Sequence, residues 1–154
     1  MSINVRQATV EDLPFILATT ERLSAFGPPP WREAADLVEG EARTLREFFD
    51  APDPSSTLLI AQTASGDALG FALLEEARDY FTHEWHGHLG ILAVAAAAEG
   101  TGAGAALIRA AEAWARRRRY PTLTLNVFER NRHARDVYEH LGFEPDTIRY
   151  LKKL

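Results

Sequence analysis

Three alternating glycines in Glu99-Gly-Thr-Gly-Ala-Gly104 follow an apolar run at 89–94 and open a helix-forming stretch. Glycine tolerates left-handed torsions and lets another group come close to the main chain. At a helix N-terminus, successive N–H groups converge on one spot beside the positive end of the helix dipole. Gly100, Thr101, Gly102, Ala103, Gly104 and Ala105 therefore form a candidate cradle for an anion, with phosphate the best-fitting occupant. A plain strand-to-helix turn with no ligand is the competing reading. Among phosphate turns, a P-loop requires Gly-Lys-Ser or Gly-Lys-Thr, and here Ala105 and Ala106 follow the last glycine. A dinucleotide fingerprint needs G-x-G-x-x-G and an acid at the tip of the next strand. This spacing is G-x-G-x-G, and the next strand reaches Phe128 before the first acid, Glu129.

Other side chains could move protons. Glu75, Glu76, His83, Glu84, His86 and His88 crowd one segment, and carboxylates or imidazoles there could act as general bases. The run His83-Glu-Trp-His-Gly-His88 also has the residue types of a metal cluster. With no cysteine, and with ligands confined to one loop, no metal site is assigned to it. Tyr138 lies on the helical face shared by Ala134 and Leu141, where periodicity alone makes it a core aromatic. Asn131 is placed to cap that helix.

The elements that would hold these groups follow from periodicity. Residues 3–8 alternate as a short strand, and a helix starts near Asp12 with Pro14 in its first turn. Gly27-Pro-Pro-Pro30 stops that helix, and a second spans about 33–49. Runs at 57–62 and 69–74 flank turn residues and predict a hairpin. Residues 80–86 form an irregular connection to a buried strand at 89–94. A helix at 103–118, a strand at 122–127, a helix at 132–140 closed by Gly142, and a last strand at 147–151 complete the chain. This order predicts a single α/β domain, residues 1–154, with helices packed on a mixed sheet.

Composition narrows the function classes. In 154 residues, 22 Asp and Glu outnumber 17 Lys and Arg for a net charge of −5, which argues against a nucleic-acid surface. The absence of cysteine excludes disulfides, thiolate metal sites and a cysteine nucleophile. The longest apolar runs fall far short of the roughly 20 residues that cross a bilayer. The first residues lack a signal-peptide pattern, so a cytoplasmic protein without membrane attachment is expected.

Two separated blocks carry a family resemblance. Residues 94–107 together with Leu123-Thr-Leu-Asn-Val127, Asn131, Ala134, Tyr138 and Leu141-Gly-Phe143 resemble the GCN5-related N-acetyltransferase (GNAT) family. The resemblance covers the C-terminal half closely, and the element order of the N-terminal half also fits. It departs at Glu99, where the family usually has Gln or Arg, and at Ala96, which replaces a common proline. An anionic Glu99 weakens diphosphate binding unless it turns outward, so binding would rest on backbone donors.

The resemblance implies a mostly antiparallel central sheet with helices on both faces and two splayed central strands, 89–94 and 122–127. It implies acetyl-CoA as cosubstrate, its diphosphate on 99–105, with Asn131, Ala134 and Tyr138 beside it. Backbone groups of Leu92 and Val94 would hold the pantetheine arm, and an N–H near Leu92 would polarise the thioester carbonyl. A small-molecule or peptide primary amine would attack directly in a ternary complex, and Tyr138 would protonate the departing thiolate. Many members carry a glutamate base on the first splayed strand, where this chain has Gly90 and Ile91. The base is therefore sought in the preceding segment, with Glu84 and His86 as the candidates. A homodimer is a further implied expectation. The alternative from another class is a non-catalytic acyl-CoA binding or sensor module.

Overall fold

The computed structural model describes residues 2–154. Five strands lie side by side in chain order: β1 (Ile3–Gln7), β2 (Thr57–Thr63), β3 (Ala68–Arg78), β4 (Trp85–Val94) and β5 (Leu123–Leu125). The first four pair antiparallel, and β5 joins β4 in parallel. Helices α1 (Leu13–Thr19) and α2 (Ala34–Asp50) intervene between β1 and β2, α3 (Ala103–Arg117) between β4 and β5, and α4 (Arg132–His140) follows β5.

Alternation along the strands builds two cores, because successive side chains take opposite faces. Leu59, Ala61, Ala72 and Leu74 meet Leu107, Ile108, Ala111 and Trp114 of α3 on one face. Leu58, Ile60, Phe71 and Leu73 meet Ile16 of α1 and Leu45 of α2 on the other. Helices thus cover both faces of a mostly antiparallel sheet, as the sequence led us to expect.

The first helix begins as the sequence suggests, with Pro14 in its first turn. Asp12 precedes Leu13, and its carboxylate turns back to accept the Thr9 N–H at 2.8 Å. It also accepts two bonds from the Arg6 guanidinium, each at 2.8 Å, and these hold its pKa below the usual carboxylate value. We expect Asp12→Ala to lower the unfolding free energy in urea by about 1–2 kcal/mol, the size of a lost cap plus a charge-assisted bond. Because the folded carboxyl has a depressed pKa, its contribution is present above the ordinary Asp range and fades as pH falls through the folded value.

Three expectations change. Strand β4 begins at Trp85, four residues before the expected start at 89, so His86 sits on a strand and not in the irregular connection expected at 80–86. Strand β5 is only Leu123–Leu125, shorter than 122–127. The last strand expected at 147–151 does not form: residues 144–154 are exposed, with no strand assigned. A strand needs a partner, and alternating apolar residues alone do not supply one.

Candidate functional site

The parting of β4 and β5 creates the site. Their ladder covers only Gly87 with Leu123, His88 with Thr124 and Leu89 with Leu125, while β4 continues to Val94. Beyond β5 the chain is drawn off by aromatic contacts. Phe128 stacks on Phe26 with ring centroids 5.2 Å apart, and the Arg32 guanidinium lies 5.5 Å from the same ring. The proline-rich loop after α1 therefore anchors the far end of β5 away from β4.

The open edge of β4 presents identifiable backbone groups. The Ala95 N–H donates to the Leu69 carbonyl at 2.8 Å, toward β3. Backbone direction alternates along a strand, so the N–H and C=O groups of Leu92 and Val94 face the open side. The Val94 carbonyl accepts a bond from Arg22 Nε at 3.3 Å on that side.

The glycine turn closes one end of this cleft. Gly100 and Gly102 have φ of 78° and 90°, the left-handed region that favours glycine. The first intrahelical bond of α3 runs from the Ala106 N–H to the Gly102 carbonyl. The N–H groups of Ala103, Gly104 and Ala105 thus have no partner within the helix. Thr101 is turned inward, since its N–H and its hydroxyl both donate to the Ala98 carbonyl.

A cleft of about 250 Å³ joins these parts, lined by Leu92, Val94, the glycine turn, Ala134 and Tyr138. Arg22, Leu23, His133 and Val137 also line it, and sequence reading did not single them out. Glu99 is exposed and pairs with Arg22 at 3.3 Å, a weak solvent-facing contact that turns its charge toward a cation. Asn131 caps α4, its Oδ1 accepting the Ala134 N–H at 3.3 Å. The Gly142 turn ends that helix with φ of 95°, and the Phe143 N–H donates to the Tyr138 carbonyl at 3.0 Å. The Tyr138 ring packs edge-on against Phe143, and burial raises its phenol above the ordinary tyrosine pKa.

The structure separates the two base candidates from this cleft. Glu84 lies in the exposed turn before β4, eight positions from Leu92, about 25 Å along an extended strand. His86 lies two residues further along, with its Nε2 within 3.1 Å of the Thr124 hydroxyl. That hydroxyl is also 2.8 Å from His88 Nδ1. Among the described residues, no three His, Asp or Glu are grouped to hold a metal ion.

Glu75 is closer to the parting of the strands. The β3–β4 register slips by one residue between Leu73 and Leu74, pairing Leu73 with Ile91 and Leu74 with Leu89 and leaving Gly90 as a bulge. A Cβ built on Gly90 would come within 2.6 Å of Glu75 Oε1, so the carboxylate rests on the bare glycine. This is the first residue of β4 past its last pair with β5. Burial, reinforced by the charge of Asp53, raises the Glu75 pKa. Burial and then the Glu75 charge do the same to Glu41 of α2. Glu76, the next residue, projects to the other face of the sheet, where its carboxylate accepts a hydrogen bond from the Tyr120 hydroxyl.

Comparison with known proteins extends this picture. The model of the Acetyltransferase (GNAT) family matches residues 18–143. YhfO of Bacillus subtilis (strain 168), described as an uncharacterized N-acetyltransferase, is 32% identical over 147 residues, covering 94% of this chain and 92% of that one. A protein of Pyrococcus furiosus shares the fold with a TM-score of 0.78 at 20% identity, over 99% of this chain and 100% of its own. The aminoglycoside antibiotic 6'-N-acetyltransferase AAC(6')-IG from Acinetobacter haemolyticus superposes with a TM-score of 0.68 at 18% identity, covering 98% of each chain. At such identities the two structures speak for the fold alone.

Proposed function

Because the chain belongs to the acetyltransferase (GNAT) family, and is an acetyltransferase on that ground, we propose that it transfers the acetyl group of acetyl-CoA to a primary amine in a ternary complex, with Glu75 as general base and Tyr138 as general acid. The observation that carries this reading is the coincidence at one point of an open β4 edge, a bare Gly90 and the Glu75 carboxylate.

The free N–H groups of Ala103, Gly104 and Ala105 suit a diphosphate, and the open edge at Leu92 and Val94 suits an extended amide-bearing arm. The Leu92 N–H is then placed to stabilise charge growing on the thioester oxygen. Leu92 is two residues from Gly90, about 7 Å along the strand, which leaves room for an amine between Glu75 and the carbonyl.

An alkylammonium must first lose a proton, because an amine of pKa about 10.4 is almost wholly charged at neutral pH. Glu75 accepts it, directly or through one water. The amine nitrogen then bonds to the carbonyl carbon, and the oxygen becomes an oxyanion facing the Leu92 N–H. The C–S bond breaks as the nitrogen releases its second proton to solvent, and the Tyr138 hydroxyl protonates the thiolate sulfur. Solvent reprotonates the phenolate and takes up the proton held by Glu75, which restores both groups. The sum is amide, thiol and one released proton.

Glu41 and Glu75 repel one another on the α2 side of the sheet, and a cationic acceptor would relieve that repulsion. The reading therefore takes a small or peptide amine bearing positive charge, acting in the cytoplasmic setting expected from the sequence. Nothing in it calls for nucleic acid or a membrane. Among the described residues no helix is long and apolar enough to cross a bilayer.

Arg22 gives the reading a further handle. It contacts both the Val94 carbonyl and Glu99, and in the complex its guanidinium would turn to the diphosphate. Arg22→Gln is expected to raise the KM for acetyl-CoA about tenfold, the size of one charge-assisted bond, with kcat little changed. Glu99→Gln should move KM the other way, and steady-state kinetics at fixed amine distinguishes the two. The reading as a whole is tested by thiol release from acetyl-CoA over a panel of primary amines. Acetylation of at least one amine class supports it, whereas cofactor binding with no transfer to any would leave a binding module in its place.

A further inference from the structure

The basic residues of the chain are almost all of one kind. Of the 17 Lys and Arg, only Lys152 and Lys153 are lysines. An arginine guanidinium stays protonated in proteins and offers no free amine to an acyl group, whereas a lysine that sheds one proton is a competent nucleophile. The side-chain primary amines of this molecule are therefore confined to two adjacent positions.

Both lysines are exposed, as is every residue from 144 to 154, and none of these is helical or in a strand. The last backbone bond that ties the segment to the body runs from the Phe143 N–H to the Tyr138 carbonyl, at 3.0 Å. Tyr138 lines the cleft, so the segment departs from the rim of the candidate site itself. Lys152 is nine residues beyond Phe143, a span of about 30 Å when the chain is extended. Tyr138 and Phe143 pack on the α3 side of the sheet, and Glu75 faces the α2 side. Only β5 stands between them, because it is the last strand and is bonded to β4 alone. A strand is about 4.8 Å wide and a packed sheet layer about 10 Å deep, so the path round that edge is well within reach.

Charge favours the same path. Residues 147–154 contain Arg149, Lys152 and Lys153 and no acid. The far side of the sheet has the opposite sign, where Glu75 feels the charge of Asp53 and Glu41 feels that of Glu75. Those carboxylates attract a cationic segment, and the tether holds its amines at an effective concentration on the order of millimolar.

We propose that Lys152 and Lys153 are acetyl acceptors of the chain's own transfer site, modified within the same molecule. The inference rests on the acyl-transfer reading above. Glu75 takes one proton from the lysine ammonium, and the Nζ lone pair bonds to the thioester carbonyl carbon. The C–S bond breaks, the nitrogen releases its second proton to solvent, and Tyr138 protonates the sulfur. Glu75 and Tyr138 then return to their starting states by exchange with solvent, leaving an acetylated lysine and the free thiol. The modified side chain is neutral, so it loses its attraction to the carboxylates and gives up the site to the next amine.

The test incubates the full-length chain with acetyl-CoA and no other amine, maps acetyl groups by peptide mass spectrometry, and runs the primary-amine panel in parallel. Acetyl groups at Lys152 or Lys153 are expected, formed at a rate per chain that does not change as the protein is diluted. That rate should fall about 10²–10⁴-fold in Glu75→Gln, as for any acceptor that depends on the same base. An equal rate in Glu75→Gln would mark uncatalysed acetylation by the thioester, and a rate per chain that climbs with protein concentration would mark one chain acting on another. Either result overturns the proposal. Transfer to a free amine with both lysines unmodified also overturns it, while leaving the acetyltransferase reading in place. Transfer to neither the lysines nor any amine removes that reading and this inference with it.

Discussion

Glu75→Gln is expected to lower kcat by about 10²–10⁴-fold, the range for a lost general base, with the affinity for acetyl-CoA unchanged. The argument is one of position. The carboxylate rests on Gly90, the first residue of β4 beyond its pairing with β5, and a side chain on that residue would displace it. Direction of titration gives a second readout. Burial raises the Glu75 pKa, and the base works only when ionised, so kcat/KM should fall as pH drops through a value above the ordinary glutamate range. In Glu75→Gln that acid limb should vanish from the residual activity. A third readout has the opposite sign. A carboxyl whose folded pKa is raised binds protons more tightly in the folded state, so its ionisation destabilises the fold as pH rises from the unfolded toward the folded pKa. The glutamine variant should therefore be at least as stable as the parent at neutral pH while losing turnover, a combination that a purely structural residue would not produce.

Tyr138→Phe is expected to lower kcat by about 10²-fold or more, again with little change in acetyl-CoA affinity. Phenylalanine keeps the ring packed against Phe143 and removes only the hydroxyl. Burial holds the phenol pKa above its usual value, so the group stays protonated through the neutral range and activity should fall only as pH rises through that elevated value. The defect should shrink with an acetyl thioester of a more acidic thiol, which departs without help. An undiminished defect would mean that the hydroxyl orients the substrates and does not supply a proton.

The parts of this site that were legible in the sequence are those fixed by local chemistry. The glycine turn, the Asn131 cap and the Gly142 stop depend on a few adjacent residues, and they stand where the residue types put them. The hairpin and α3 were equally local, since period and turn residues suffice to mark them. What escaped depended on pairing. The bulge at Gly90 comes from a register slip between β3 and β4 and carries no mark in the residues of β4 alone. Without that register, Glu75 could not be told apart from Glu76, although the two face opposite sides of the sheet. Arg22 and Glu99 are 77 positions apart, and nothing in either segment announces the contact. Residues 147–151 erred in the other direction: the alternation suits a strand, but no edge within the same chain is taken up by it.

The reading relies on the cleft between the glycine turn and the open edge of β4 as the seat of the cosubstrate. Isothermal titration of the purified chain with acetyl-CoA tests this most directly. One saturable site per chain, weakened when Arg22 is replaced by glutamine and kept when Glu75 is, is the outcome expected. Absence of saturable heat up to millimolar acetyl-CoA would contradict the account at its base.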